Sequence, residues 1–168
     1  MSVSEVRIRR GRASDVASLN DLYNRYIRET AITFDLEPIS FASKRAWFAL
    51  FGEGGRHQLF VAERGDAVVG YACTRPFRDK AAYDTTAETS IYLAPEAQGQ
   101  GIGARLYAQL FEALAGADLH RLVAGITLPN DASVALHEHA GFRPVGVLHE
   151  VGRKLGRYWD VLWMEREL

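Results

Sequence analysis

The glycine-rich turn Gln98-Gly99-Gln100-Gly101-Ile102-Gly103 is the part of this sequence best suited to hold a ligand. A short apolar strand pattern, Ser90-Ile91-Tyr92-Leu93, runs toward it, and a helix pattern begins at its end. A strand, a glycine turn and a helix start together offer backbone N–H groups and a partial positive charge to an anion. Three phosphate loops compete for this stretch. A nucleoside-triphosphate loop needs Lys followed by Ser or Thr after its last glycine, whereas Ala104-Arg105 follows Gly103 here. A dinucleotide loop is matched by Gly99, Gly101 and Ala104, but the next strand pattern supplies no acid for a ribose before Asp131. The third pattern, Q/R-x-x-G-x-G/A, is filled by Gln98, Gly101 and Gly103.

Two titratable residues flank the turn. Glu88 stands at the start of the strand feeding it, near the reacting end of a ligand anchored at the glycines. Partial burial would raise its pKa toward the range useful to a general base. His137 lies on a helix pattern that Asn130 opens, and an imidazole can serve as base or, once protonated, as acid near neutral pH. The run His137-Glu138-His139-Ala140-Gly141 is not a zinc H-E-x-x-H, because Gly141 stands where the second His is needed, so no metal is expected. His139 reads as surface. Cys73 has a nucleophile's chemistry, yet its neighbours Gly70-Tyr71-Ala72-Cys73-Thr74 read as a central strand, which predicts a buried, inert thiol.

These motifs resemble the GNAT superfamily of acetyl-coenzyme A-dependent N-acetyltransferases. The turn matches its pyrophosphate loop, and "PNDASVALHEHAGF" around His137 resembles its "N-x-x-S/A-x-x-x-Y-x-x-x-G-F" segment. Ala82 to Glu88 resembles the "AY-x-x-T-x-E" strand entry of one branch, the phosphinothricin and methionine-sulfoximine N-acetyltransferases. Residues 152–160 approximate that branch's tail, "G-x-K-x-G-x-W-x-D". The resemblance covers nearly the whole chain. It implies an α/β fold with a mixed, mostly antiparallel central sheet flanked by helices. It implies acetyl-CoA as cosubstrate, with Ile91, Tyr92 and Leu93 along the pantetheine and Gln98, Gly99, Gln100, Gly101, Ile102, Gly103 and Ala104 at the pyrophosphate. Asn130 and Ser133 would reach the other end of the pantetheine or the thioester, and either is equally suited to capping a helix. Glu88 would be the base, directly or through water, and His137 replaces the Tyr thought to protonate the departing thiolate in many members. Phe34, Arg75, Arg78, Lys80, Tyr83, Thr86 and Ala87 would surround the acceptor. Arg78 stands where the branch can have Lys and Lys80 where it can have Arg, which leaves the acceptor's identity open. The branch also implies a homodimer, with the tail near Trp159 at the contact.

Composition fits this and narrows the partners. The chain has 168 residues, 48% hydrophobic and 24% charged, which predicts one domain over 1–168 with its own core. A net charge of −1 and no basic run exclude nucleic acid as the main partner. No apolar run approaches the roughly 20 residues that span a bilayer, and no signal-peptide core is visible, so neither a membrane partner nor export is expected. A single cysteine fits a reducing cytoplasm. The patterns predict strands at 6–9, 59–63, 67–74, 90–93, 122–128, 145–148 and 159–164. Helices are predicted after a Ser14 cap, around Ala42 to Phe51, at 101–115 and at 131–140. The leading expectation is an enzyme that acetylates the α-amine of a small amino-acid-like acceptor (of the phosphinothricin, methionine sulfoximine or methionine sulfone type) by direct attack. Acetylation of a protein N-terminus or another amine, and an idle coenzyme A sensor, remain the alternatives.

Overall fold

The computed structural model describes residues 5–168; the first four residues of the expected domain lie outside the described residues. The chain runs β1 (Val6–Arg10), α1 (Val16–Glu29), α2 (Phe41–Phe48), β2 (Leu59–Arg64), β3 (Ala67–Pro76), β4 (Thr86–Leu93), α3 (Ile102–Leu114), β5 (Arg121–Leu128), α4 (Asp131–His139), β6 (Arg143–Lys154) and β7 (Arg157–Glu167). The strands form one seven-stranded sheet in the order β1-β2-β3-β4-β5-β7-β6. Every pairing is antiparallel except β4 with β5. The mixed, mostly antiparallel α/β architecture is the expected one.

Local chemistry explains most element ends. Residues Val16, Leu19, Leu22, Tyr26 and Ile27 are buried on one side of α1, the helical spacing of an amphipathic segment. The expected Ser14 cap is not used. A 3-10 turn at Ala13–Asp15 precedes the helix, and Asp15 accepts from the Arg12 N–H at 2.7 Å and from the Arg9 fork at 2.8 and 2.9 Å. At α2, Ser40 Oγ accepts from the Ser43 N–H at 3.1 Å, the usual N-cap bond. That helix stops at Phe48, so Phe51 packs edge-on against Trp47 from the following turn instead of from the helix. Gly65, at φ +60°, turns the β2–β3 hairpin. The last two strands are much longer than expected, since both continue past their apolar cores into an exposed hairpin end.

α3 buries Ile102, Leu106, Tyr107, Leu110 and Leu114 over β1, β2 and β3, while α1 and α2 pack together and α1 meets β3 and β4. Burial of each such apolar side chain is worth about 1.5–3 kcal/mol. The site depends on one break in this order. β4 and β5 pair only at Thr86–Arg121, Ala87–Leu122 and Glu88–Val123, and then the two strands part. The Thr89 hydroxyl still reaches the Val123 carbonyl at 3.3 Å, but beyond it the β5-facing edge of β4 has no strand partner.

The loop after α1 that faces this opening is held by Asn24. Its buried amide donates to the Ile39 carbonyl at 3.0 Å and accepts from the Ile39 N–H at 2.9 Å. Removing it leaves two partly buried backbone groups without their partner, each worth about 1–3 kcal/mol at most. Asn24→Ala is therefore expected to cost about 2 kcal/mol in denaturant unfolding. The KM of the expected acceptor should rise more than that of acetyl-CoA, since Thr33 and Phe34 of this loop line one hollow and Ile32 alone reaches both.

Candidate active site

The parted strands leave two connected hollows. A chamber of about 200 Å³ is walled by Glu88 to Tyr92 on one side and Ala124 to Thr127 on the other, with Tyr23, Thr33, Phe34, Arg75 and His137 closing it. A groove of about 460 Å³ runs from Leu93 along the glycine turn and α4. Both hollows touch Ile32, Ile91, Asn130 and Ser133, which mark their junction.

The groove has the features of an anion cradle. Gly101 is the N-cap of α3 with φ +73°, and Gly99 has φ +70°. An added Cβ at either would meet nothing within 4 Å, so the space in front of these backbones is open. Gln98, Gly99, Gly101, Ile102, Gly103 and Ala104 all line the groove. Gln100 does not: its amide donates to the Glu96 carbonyl at 2.8 Å, and its oxygen pairs with Arg64. Gln98 donates to the Tyr26 hydroxyl at 3.2 Å, and Tyr26 donates to the Leu93 carbonyl at 2.6 Å. Tyr26, on α1, thus ties the turn to the end of β4. Strand alternation sends Ile91 and Leu93 into the groove, while Tyr92 faces the chamber. Asn130 caps α4 by accepting from the Ser133 N–H at 3.2 Å, and both residues stand at the junction. The expected capping is therefore present, and the same two residues also line both hollows. The rim also includes His139, which is exposed.

In the chamber, Glu88 is half-buried and lies 3.6 Å from Arg75. Burial raises its pKa above the ordinary carboxylate value, against an opposing pull from Arg75 and Arg78. His137 is only 3% exposed. Its Nδ1 lies 2.7 Å from the Ser133 carbonyl, which can only accept, so Nδ1 carries the proton. Nε2 then accepts from the Tyr107 hydroxyl at 2.7 Å. Both ring nitrogens are occupied, and burial lowers the pKa, which keeps the imidazole neutral. Cys73 is buried, and burial pushes its thiol up to about 11, so it is protonated at neutral pH and is not poised as a nucleophile.

Of the residues expected around an acceptor, Phe34 and Arg75 are in the chamber wall. The others are not. Arg78 and Lys80 are exposed in the connection before β4, where the Arg78 guanidinium lies over Phe77 and Tyr83 packs edge-on against the same ring. Ala87 is fully buried on the opposite side of β4 from Glu88, and Thr86 pairs with Arg121 where the two strands are still joined. Tyr23, Tyr26 and Tyr107 have site contacts that their apolar helix spacing disguised as core. Among the described residues no cluster of three or more His, Cys, Asp or Glu could hold a metal, and no helix is long and apolar enough to cross a membrane.

Comparison with known proteins places this geometry. Residues 18–142 match the Acetyltransferase (GNAT) family. A phosphinothricin N-acetyltransferase of Streptomyces coelicolor is 52% identical over 167 residues, covering 98% of each chain. An L-methionine sulfoximine/L-methionine sulfone acetyltransferase of Pseudomonas paraeruginosa is 30% identical over 96% of this chain and 94% of its own. The crystal structure of a GNAT superfamily phosphinothricin acetyltransferase from Sinorhizobium meliloti, in complex with acetyl-CoA, superposes with a TM-score of 0.91 at 33% identity. That match covers 97% of this chain and 88% of the other.

The turn yields a direct test. A β-branched residue at φ +73° is strained, and its side chain would fill the open space before the helix start. Gly101→Val should raise the acetyl-CoA KM more than roughly tenfold, with the acceptor KM little changed. An unaltered acetyl-CoA KM in a variant with native circular dichroism would put the pyrophosphate elsewhere.

Proposed function

This chain belongs to the acetyltransferase (GNAT) family, and from that membership we propose that its acceptor is the α-amine of a small amino-acid-like molecule of the phosphinothricin, methionine sulfoximine or methionine sulfone type. The enzyme is an acetyl-CoA-dependent N-acetyltransferase. The acceptor reading is supported by the curated relatives and by the size of the chamber, about 200 Å³ with Phe34 in its wall, which suits a free amino acid better than a peptide.

The observation that carries the mechanism is Glu88, half-buried in the chamber wall on the strand that runs on to the groove. In this reading the coenzyme's pyrophosphate sits at Gln98, Gly99 and Gly101 to Ala104. Its pantetheine follows the unpaired edge of β4 at Ile91 and Leu93, much as a peptide adds to a sheet edge. The thioester lies beside Asn130 and Ser133. The acceptor's ammonium gives a proton to Glu88, directly or through water, and the amine then attacks the thioester carbonyl. The C–N bond forms, the C–S bond breaks, and coenzyme A leaves as thiolate or takes up the proton. Holding both reactants at the junction supplies much of the rate, since the thioester is already activated. His137 has neither a free lone pair nor a free proton, so Glu88 is assigned the base. His137 is assigned to hold Ser133 and Tyr107 in place. Arg75 would meet an acidic oxygen of the acceptor.

We further propose that the chain acts as one domain and as a homodimer in the cytoplasm. β6 is an edge strand carrying exposed Val145, Val147, Leu148 and Val151, an apolar edge that a second copy would cover. A lone, buried Cys73 suits a reducing compartment. Sedimentation at micromolar concentration tests the dimer. Thiol release with phosphinothricin and methionine sulfoximine, against a peptide N-terminus and a polyamine, tests the acceptor. Activity on the peptide or polyamine with none on the first two would overturn it.

Glu88 and His137 separate by pH. A raised carboxylate pKa means that Glu88 is deprotonated, and active, only above that value, so kcat/KM falls as pH drops through it. Glu88→Gln should cost roughly ten- to a thousandfold in kcat/KM and abolish this acid limb. His137→Phe should leave the acid limb in place but lower stability by about 1–3 kcal/mol, because Tyr107 and the Ser133 carbonyl lose their partner.

A further inference from the structure

Lys44, on α2, is a buried ammonium without an anion. The residue is 2% exposed, and its Nζ lies 3.8 Å from the Trp47 ring centroid, 4.5 Å from Tyr23 and 5.2 Å from Tyr71. Among the described residues no carboxylate comes within ion-pair distance of it, and no oxygen accepts a hydrogen bond from it. Lys154, the other buried lysine, differs: it donates to the Thr33 carbonyl at 2.7 Å. Three aromatic faces offset part of Lys44's desolvation, but a charge in such a place still weighs against folding. Burial draws its pKa down to about 8, which leaves it mostly charged at pH 7. A methionine would fill the same cage with no charge to bury. The charge is therefore held at a cost in stability, and its position shows what it can act on.

The cage shares a wall with the chamber. Tyr23 is one of the three caging rings and also lines the chamber, where Tyr92 meets it edge-on at 5.3 Å. The titratable groups acting on Lys44 are Cys73, Arg75 and Asp35. Asp35 is exposed and engaged by the Tyr23 hydroxyl at 2.7 Å, and the thiol is neutral. Arg75 is partly compensated by Glu88 at 3.6 Å. Lys44 is left as the uncompensated positive charge behind the wall. In a low-dielectric site such a charge is felt over several ångströms.

We propose that Lys44 is a specificity-determining positioning residue whose caged charge, acting through the Tyr23–Tyr92 wall, makes the chamber favour an acceptor carrying an anionic group beside its amine. The proposal rests on the chamber being the acceptor site. Lys44 touches no reacting atom, so its effect belongs in acceptor affinity and not in the acetyl-transfer step.

The test compares an amino-acid acceptor with its carboxamide, in the wild-type enzyme, Lys44→Met and Lys44→Gln. Wild type should prefer the carboxylate. Both neutral variants should lose roughly tenfold of that preference through a higher KM for the carboxylate alone. The carboxamide kcat and the acetyl-CoA KM should hold, and the melting temperature of Lys44→Met should be equal or higher. The proposal is overturned by a wild type indifferent to the carboxylate, by a variant that keeps the wild-type preference, or by an equal loss on both acceptors. If the enzyme instead uses an amine of another class, only the acceptor reading falls. The same comparison, made on that amine with and without an adjacent anionic group, then decides for or against Lys44.

Discussion

The separation of β4 from β5 after Glu88 is the constraint on which the rest of the site depends. Among the described residues these are the only parallel neighbours in the sheet, and a parallel pair needs a crossover between its strands. The crossover here is the glycine turn and α3, which places a helix N-terminus at the end of β4, where the strands have already parted. A break in a sheet leaves backbone groups without partners, and those groups must be answered. Thr89 answers with its hydroxyl on Val123, and Tyr26 with its own on the Leu93 carbonyl. The remaining edge is open to a ligand that carries its own amides. One gap therefore opens a strand edge, aims the glycine turn at it, and leaves room for the chamber on the far side.

The same low-dielectric surroundings act on three titratable side chains with three different results. Burial raises the Glu88 carboxylate, lowers the His137 imidazole and lifts the Cys73 thiol. In each case the neutral form gains. Only for the carboxylate does that shift move the group toward useful base strength at neutral pH. The imidazole loses its acid form, and hydrogen bonds then occupy both its nitrogens. The thiol loses its thiolate. Position along two strands and one helix, combined with burial, thus leaves Glu88 as the one group of the three whose shift suits a base.

Features of the site governed by local chemistry were legible in the sequence. The glycine spacing of the turn and the Asn130 cap each follow from what the backbone requires at that point. Glu88 was legible because its strand leads directly into the turn. Residues whose role depends on distant packing were not. Tyr23, Tyr26 and Tyr107 have the spacing of core residues, and nothing local shows that their hydroxyls reach Thr33, Leu93 and His137. Arg78, Lys80 and Tyr83 have suitable chemistry, but the connection that carries them runs over the surface beside Phe77. Gln100 lies inside the motif, yet Glu96 and Arg64 hold it away from the groove. Tyr92 shows a related difficulty: where a strand has lost its neighbour, alternation alone does not say which hollow each side chain enters.

The two hollows also differ in how many parts of the chain build them. The phosphate end of the groove comes from one continuous stretch, so a short segment fixes it. The chamber is closed by pieces far apart in sequence. Phe34, from the loop after α1, lies against Gly152 of β6, where an added Cβ would clash with the ring. Lys154 ties the same hairpin to the Thr33 carbonyl, and the Trp159 indole donates to the Lys154 carbonyl at 2.8 Å. Tyr23, in turn, bonds both Thr33 and Asp35. A change in the loop, the hairpin or α1 is passed to the chamber wall through these contacts, while the turn, whose shape is set by its own glycines, is insulated from them. The shape of the chamber is thus a property of tertiary packing and the shape of the turn a property of a local motif, which is why the second can be read from sequence and the first needs the fold.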